Sequence, residues 1–217
     1  MRTPEDCEVF WLDTTACPPA DNQLSSDERS HARAFRRPED RAAFVATRAA
    51  LRGLLGRRVG IAPASLVFVN GEHGKPRLRD GGLHFNVAHC DGHAVIALRS
   101  SGPVGVDVEI VPETLPERDQ IASRVLSSRE RDWLLERPEA ARTRDFMRLW
   151  VLKEAFAKCL GVGLSGPLQD LEVELGEDEP RVRWLDHAER TFVAADLAQG
   201  DGFAAALVAE VSSPPSP

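Results

Sequence analysis

The chain has 217 residues, 42% of them apolar and 28% charged, and a formal net charge of −7. This length supports one large domain or two small ones with real cores. The acidic balance argues against a general nucleic-acid binder, which needs a basic surface to displace counterions from phosphates. No apolar run approaches the ~20 residues of a membrane-spanning helix, Phe203 to Ala209 being the clearest late one, so no membrane partner is expected.

The chain opens with Met-Arg-Thr-Pro-Glu-Asp rather than an apolar signal core, and Cys7, Cys17, Cys90 and Cys159 form no Cys-x-x-Cys pair. Reduced thiols and a cytoplasmic location are the expectation. Val9 to Leu12 reads as an opening strand. Leu24-Ser25-Ser26-Asp27-Glu28 then reads as a helix start, because Ser25 can cap the amide three residues on while Glu28 reaches back. From Asp40 to Leu55 the positions Phe44, Ala46, Leu51, Leu54 and Leu55 keep a helical period, with Gly56 as the stop. Short apolar or alternating runs at Leu66 to Val69, Leu83 to Val87 and Ala94 to Leu98 predict strands, the last two forming a hairpin across Cys90-Asp91-Gly92.

The second half repeats this grammar. Leu126-Ser127-Ser128-Arg129-Glu130-Arg131 echoes the first helix start, a long helix follows, and strands are predicted at Leu171 to Leu175, Val182 to Leu185, Phe192 to Ala195 and Phe203 to Val211. The reading is an α/β (α+β) protein of two similar α/β subdomains related by a pseudo-twofold axis: residues 1–103, residues 104–211, and a disordered tail, 212–217. A cleft between the halves is the default binding site.

Two stretches carry the chemistry. In Gly105-Val106-Asp107-Val108-Glu109 the side-chain period of two points Asp107 and Glu109 the same way, opposite a face buried by Val104, Val106 and Val108, and so free to line a cleft. In Trp150-Val151-Leu152-Lys153-Glu154-Ala155-Phe156-Ala157-Lys158, Glu154 and Lys158 share one helix face. Taken alone, the first is commonly a solvated strand edge and the second a simple intrahelical ion pair. Together they suggest magnesium, which takes oxygen ligands and keeps phosphate oxygens in its shell. A transition-metal site at His89-Cys90-x-x-His93 is the weaker alternative, lacking a fourth ligand and the usual spacing.

Trp150-x-x-Lys153-Glu154-Ala155-x-x-Lys158 followed by Gly161-Val162-Gly163-Leu164, downstream of Gly105-Val106-Asp107-Val108-Glu109, resembles the signature of the 4′-phosphopantetheinyl transferase superfamily. Gly74-Lys75-Pro76 and Phe85-Asn86-Val87-Ala88-His89 resemble its lysine-bearing turn and its Phe-Asn-x-Ser-His segment. The spread, from the Leu24 helix to about Leu164, resembles the long, monomeric, surfactin-synthetase-activating type built from two pseudo-repeated halves.

The resemblance implies that family's fold and the Mg2+-dependent transfer of the phosphopantetheine arm of coenzyme A to a serine of an apo acyl or peptidyl carrier protein, releasing adenosine 3′,5′-bisphosphate. It assigns Asp107, Glu109 and Glu154 to the metal, Glu154 and Lys158 to catalysis, and Arg48, Lys75, His89 and Lys158 to coenzyme A. Ala88 departs from the family's serine, and Glu28 and His31 stand where some relatives carry lysines. Carriers of nonribosomal peptide or polyketide biosynthesis are the expected partners, docking at Arg29 to Arg41 or around Phe146, Met147 and Arg148. The rivals are a magnesium-dependent hydrolase of nucleotide pyrophosphates, which the same groups would serve, and a non-catalytic coenzyme A binder.

Overall fold

The computed structural model describes residues 3–211 apart from 19, 72, 164, 165, 167, 177, 178 and 199; the tail 212–217, read from sequence as disordered, lies outside the described residues. In chain order come β1 (Cys7–Asp13), α1 (Ser26–Arg33), α2 (Pro38–Val59), β2 (Phe68–Asn70), β3 (Pro76–Leu78), β4 (His84–Cys90) and β5 (His93–Arg99). Next are β6 (Val104–Ile110), α3 (Arg118–Val125), α4 (Ser128–Glu136), α5 (Glu139–Leu160), β7 (Leu171–Glu174), β8 (Arg181–Trp184), β9 (Thr191–Asp196) and β10 (Phe203–Val211). With α3 set aside, the second series repeats the first element for element. Each forms one antiparallel three-stranded sheet, β1-β5-β4 or β6-β10-β9, and one two-stranded hairpin, β2-β3 or β7-β8.

The echoed helix starts are real capping boxes. Ser25 Oγ accepts the Glu28 amide at 3.2 Å while Glu28 Oε2 accepts the Ser25 amide at 3.0 Å. Ser127 and Glu130 do the same at 3.2 and 2.7 Å. Each box glutamate is buried, and a basic residue of the following long helix answers it. Arg52 Nε lies 2.5 Å from Glu28 Oε2, and Lys153 Nζ lies 2.8 Å from Glu130 Oε2. Arg52 donates further to the carbonyls of Pro63 and Leu66, and Lys153 to those of Leu168 and Leu171, so each cation also ties its helix to the chain that follows.

Helix α2 does not stop at Gly56. It runs to Val59 and ends on Gly60 in the left-handed region, as α5 ends on Gly161. Gly56 is needed for another reason: a Cβ there would stand 2.5 Å from the Ile61 carbonyl oxygen, where the chain folds back over the helix end. The predicted β4–β5 hairpin is present, with Asp91 and Gly92 at φ of 43° and 73°, the signs a two-residue turn requires. Two short elements, β3 and α3, carry no periodic signal in the sequence.

Alternation along the central strands builds the layers. Val104, Val106 and Val108 meet Val95, Ala97 and Leu207 between the two sheets. On the outer face of the first sheet, Ile96 and Leu98 pack on Leu51 and Leu55 of α2. On the outer face of the second, Ala204, Ala206 and Val208 join Leu149, Leu152 and Phe156 of α5. The order is helix, sheet, sheet, helix. A side chain joins the sheets where no strand pairing does: Asn86 Oδ1 on β4 accepts the Val106 amide of β6 at 2.8 Å.

Candidate functional site

The residues opposite the valines on β6, namely Gly105, Asp107 and Glu109, face α5. The sequence reading leaves this acidic face open to a cleft; instead α5 covers most of it, and Asp107 and Glu154 are only 4% and 7% exposed. Gly105 permits the approach, since a Cβ there would stand 2.0 Å from the Ala155 carbonyl oxygen and 2.4 Å from the Cys159 nitrogen. Glu109, farther along the strand, is half-buried.

Lys158 reaches across to Asp107, its Nζ 2.6 Å from Oδ1, so the cation of this helix serves the neighbouring strand. Asp107 Oδ2 and Glu154 Oε1 are buried with no hydrogen-bond partner. Burial pushes the Asp107 carboxyl up to about 6, against the pull of Lys158. Burial first, then repulsion from Asp107, pushes Glu154 up to about 7. Asp107 and Glu154 thus share the pull of one ammonium. Two orphaned buried carboxylate oxygens in an all-oxygen acidic set fit a hard divalent cation such as magnesium. Among the described residues, however, no three His, Cys, Asp or Glu side chains are grouped closely enough to hold an ion as they stand.

The bridge from these acids to open space is Cys90, whose Sγ lies 3.4 Å from Glu109 Oε2. Cys90 lines a cleft of about 1040 Å³ together with Phe44, Thr47, Arg48 and His89. His89 is exposed on its wall. Arg48 is held from three sides, with Nε 3.4 Å from Glu28 Oε1 and the guanidinium 6.0 Å from the Phe44 ring centre and 5.5 Å from that of Phe68. Glu28 therefore does structural work, closing its capping box and serving two arginines. His31 packs edge-on against Phe35 and Phe44. Ala88 is buried among the residues between the sheets, whereas its neighbours Val87 and His89 line the cleft.

Lys75 is placed elsewhere. Its Nζ donates to the carbonyls of Val104 at 2.9 Å and Cys159 at 3.1 Å, fastening the β3 turn to the start of β6 and the end of α5. Burial pushes its pKa down. The structure thus brings Asp107, Glu109, Glu154 and Lys158 together, sets Arg48 and His89 in the adjoining cleft, and gives Lys75 backbone partners. Of the two expected docking regions, Phe146 and Met147 are core residues at 2% and 8% exposure, and Arg148 is engaged with Asp196 at 3.1 Å. In the His-Cys-x-x-His segment, His93 Nδ1 contacts the Asp91 carbonyl and Cys90 turns to Glu109.

The sequence reading gives Asn86 and Lys153 no individual role, and Glu130 only its capping box. The available signal was the repeat itself: a capping-box glutamate followed, at the matching helix position, by a buried base in both halves.

A family model described as the 4′-phosphopantetheinyl transferase superfamily matches residues 103–208. The 4′-phosphopantetheinyl transferase HetI of a Nostoc species is 34% identical over 161 residues, which cover 72% of this chain and 67% of that protein. The 4′-phosphopantetheinyl transferase Sfp of Bacillus subtilis is 33% identical over 156 residues, covering 71% of this chain and 68% of that one. Among solved structures, a holo-(acyl-carrier-protein) synthase of Bacillus anthracis in complex with CoA matches with a TM-score of 0.45 and 22% identity, over 51% of this chain and 96% of that one.

Proposed function

Because the chain belongs to the 4′-phosphopantetheinyl transferase superfamily, we propose that it moves the phosphopantetheine arm of coenzyme A to a serine hydroxyl of an acyl or peptidyl carrier protein, releasing adenosine 3′,5′-bisphosphate. The observation that carries this reading is the buried acid cluster with its orphaned oxygens at Asp107 and Glu154, one ammonium at Lys158, and a cleft beside it.

Asp107, Glu109 and Glu154 would hold a magnesium ion, which when bound supplies charge neutralisation at the pyrophosphate. The chain's own groups do the remainder. Lys158 places a positive charge where negative charge grows on the departing phosphate, and phosphoryl transfer depends mainly on such positioning. Glu154 is the proposed acceptor of the serine proton, directly or through a water. Arg48 and His89 offer donors to the nucleotide phosphates from the cleft wall, the guanidinium fork suiting bidentate contact. Lys75 supports this arrangement indirectly, its ammonium fastening the β3 turn to the start of β6 and the end of α5.

The repeated element order favours two halves meeting near Val104 within one monomeric chain. Four free cysteines suit a reducing, cytoplasmic compartment. Carriers of secondary metabolism are the proposed partners, met through the basic stretch Arg29 to Arg41 now that Phe146 and Met147 are accounted for as core. Mixing the protein with coenzyme A, magnesium and a panel of apo carriers tests the reading by intact mass. Gain of a phosphopantetheine on a carrier supports it; cleavage of coenzyme A with water as sole acceptor supports the hydrolase instead.

A further inference from the structure

The first half holds a cavity with no part in the reaction proposed above. It is a groove of about 390 Å³ between β1 and α2, walled by Phe10, Leu12, Ala49, Gly53, Leu54 and Ile96 among others. That volume falls within the ~300–1,000 Å³ of small-molecule sites, which are mostly apolar with a few placed polar groups. Its polar side chains are few: Gln23, Arg57, the Cys17 thiol and the Trp11 indole. Arg57 is exposed and, among the described residues, its side chain has no ion pair or hydrogen bond.

The position of this groove gives it meaning. Helices α2 and α5 have equal length and end on the left-handed glycines Gly60 and Gly161. Aligned there, Gly53 falls opposite Glu154 and Arg57 opposite Lys158. Strands β1 and β6 also have equal length, and Val9 and Trp11 share the inter-sheet layer with Val106 and Val108. Aligned end to end, Phe10 falls opposite Asp107 and Leu12 opposite Glu109. The groove is the first half's counterpart of the acid cluster: all three carboxylates are replaced by apolar residues or glycine, while the cation is kept. A metal-held phosphate has no ligands here. What remains is an apolar trough ending at one free positive charge.

The helix side of the trough is lined by small residues. Ala46, Ala49, Ala50 and Gly53 lie on one face of α2, and from Ala46 to Arg57 the axis runs ~16 Å at the rise of an α-helix. We propose that this groove binds a medium-chain alkyl carboxylate, its chain lying between β1 and α2 and its carboxylate on Arg57. Small side chains along the helix leave room for a chain rather than a ring, and an arginine pairs with a carboxylate through two parallel N–H donors. The Gln23 amide, whose Oε1 lies 3.2 Å from where a Gly53 Cβ would sit, borders the same trough and is free to move aside.

The proposal stands apart from the transferase reading and is tested on the full chain by calorimetric titration with sodium decanoate. The expected result is saturable one-site binding that weakens about tenfold in Arg57→Gln, the loss of one charge-assisted pair. Decanol should bind more weakly than decanoate to the wild type and equally to both proteins. Gly53→Leu, which fills the trough from the helix side and removes a helix glycine, should abolish binding while leaving carrier modification unchanged. Absence of saturable binding, equal binding of decanol and decanoate to the wild type, or binding that survives Gly53→Leu would each overturn the proposal.

Discussion

At the residue scale, the sharpest consequence concerns Asp107 and Glu154, whose carboxyls sit near 6 and 7 rather than in the ordinary carboxylate range. An acid whose pKa is higher in the folded than in the unfolded chain binds its proton more tightly when folded. Its contribution to stability is therefore full at low pH and is lost as pH rises through the folded value. Without metal, Glu154→Gln should stabilise the protein at pH 8 by up to about 3 kcal/mol and change little at pH 4. Urea denaturation of both proteins at the two pH values checks this, and magnesium should reverse the order at pH 8 by favouring the ionised wild-type site. The identities of these acids were legible in the sequence because strand and helix periods placed them on shared faces. Their burial was not, because it depends on how closely α5 approaches β6, which only Gly105 reveals. Lys75 illustrates the opposite case: motif position suggests a ligand, while its ammonium satisfies the backbone carbonyls of Val104 and Cys159.

At the element scale, the architecture rests on a few close approaches. Gly105→Ala should cost about 3 kcal/mol or more, because the new Cβ meets helix backbone, which cannot rotate away as a flexible side chain can. A shift of the denaturation midpoint measures it, and loss of transfer at temperatures where the variant is still folded would mark the accompanying displacement of Glu154. The buried pair Lys153 and Glu130 gives a second test. Lys153→Met alone strands a buried carboxylate and should cost about 3–5 kcal/mol, whereas adding Glu130→Leu should recover part of that loss. A double-mutant cycle separates the pair from the capping box, which Glu130 also closes. The helix starts were legible from Leu-Ser-Ser and the glutamate that follows. The helix ends were less so, since Gly56 and Gly60 look alike in sequence, yet Gly56 stays helical beneath the Ile61 carbonyl and Gly60 turns left-handed to end the helix.

On the scale of the whole molecule, the echo of Leu24 to Arg29 in Leu126 to Arg131 made a repeated architecture legible, and the element order of the structure follows the same rhythm. The stacking of helix, sheet, sheet and helix was not readable, because alternation along a strand tells which residues share a face but not which layer covers it. Where the second half places Glu154 and Asp107, the first places Gly53 and Phe10, so a single site with a metal-binding character is expected per chain. With a net charge of −7, this chain would meet a carrier of the same sign through a local basic surface. Arg33→Glu with Arg36→Glu, exposed residues at the end of α1 and just beyond it, should therefore raise KM for the carrier and leave that for coenzyme A unchanged.

The most direct measurement is the intact mass of an apo carrier protein incubated with coenzyme A, magnesium and either the wild-type chain or Asp107→Asn. The account predicts that the carrier gains one phosphopantetheine with the wild type and none with Asp107→Asn. Coenzyme A consumed while every carrier in the panel keeps its mass, or full carrier modification by Asp107→Asn, would contradict it.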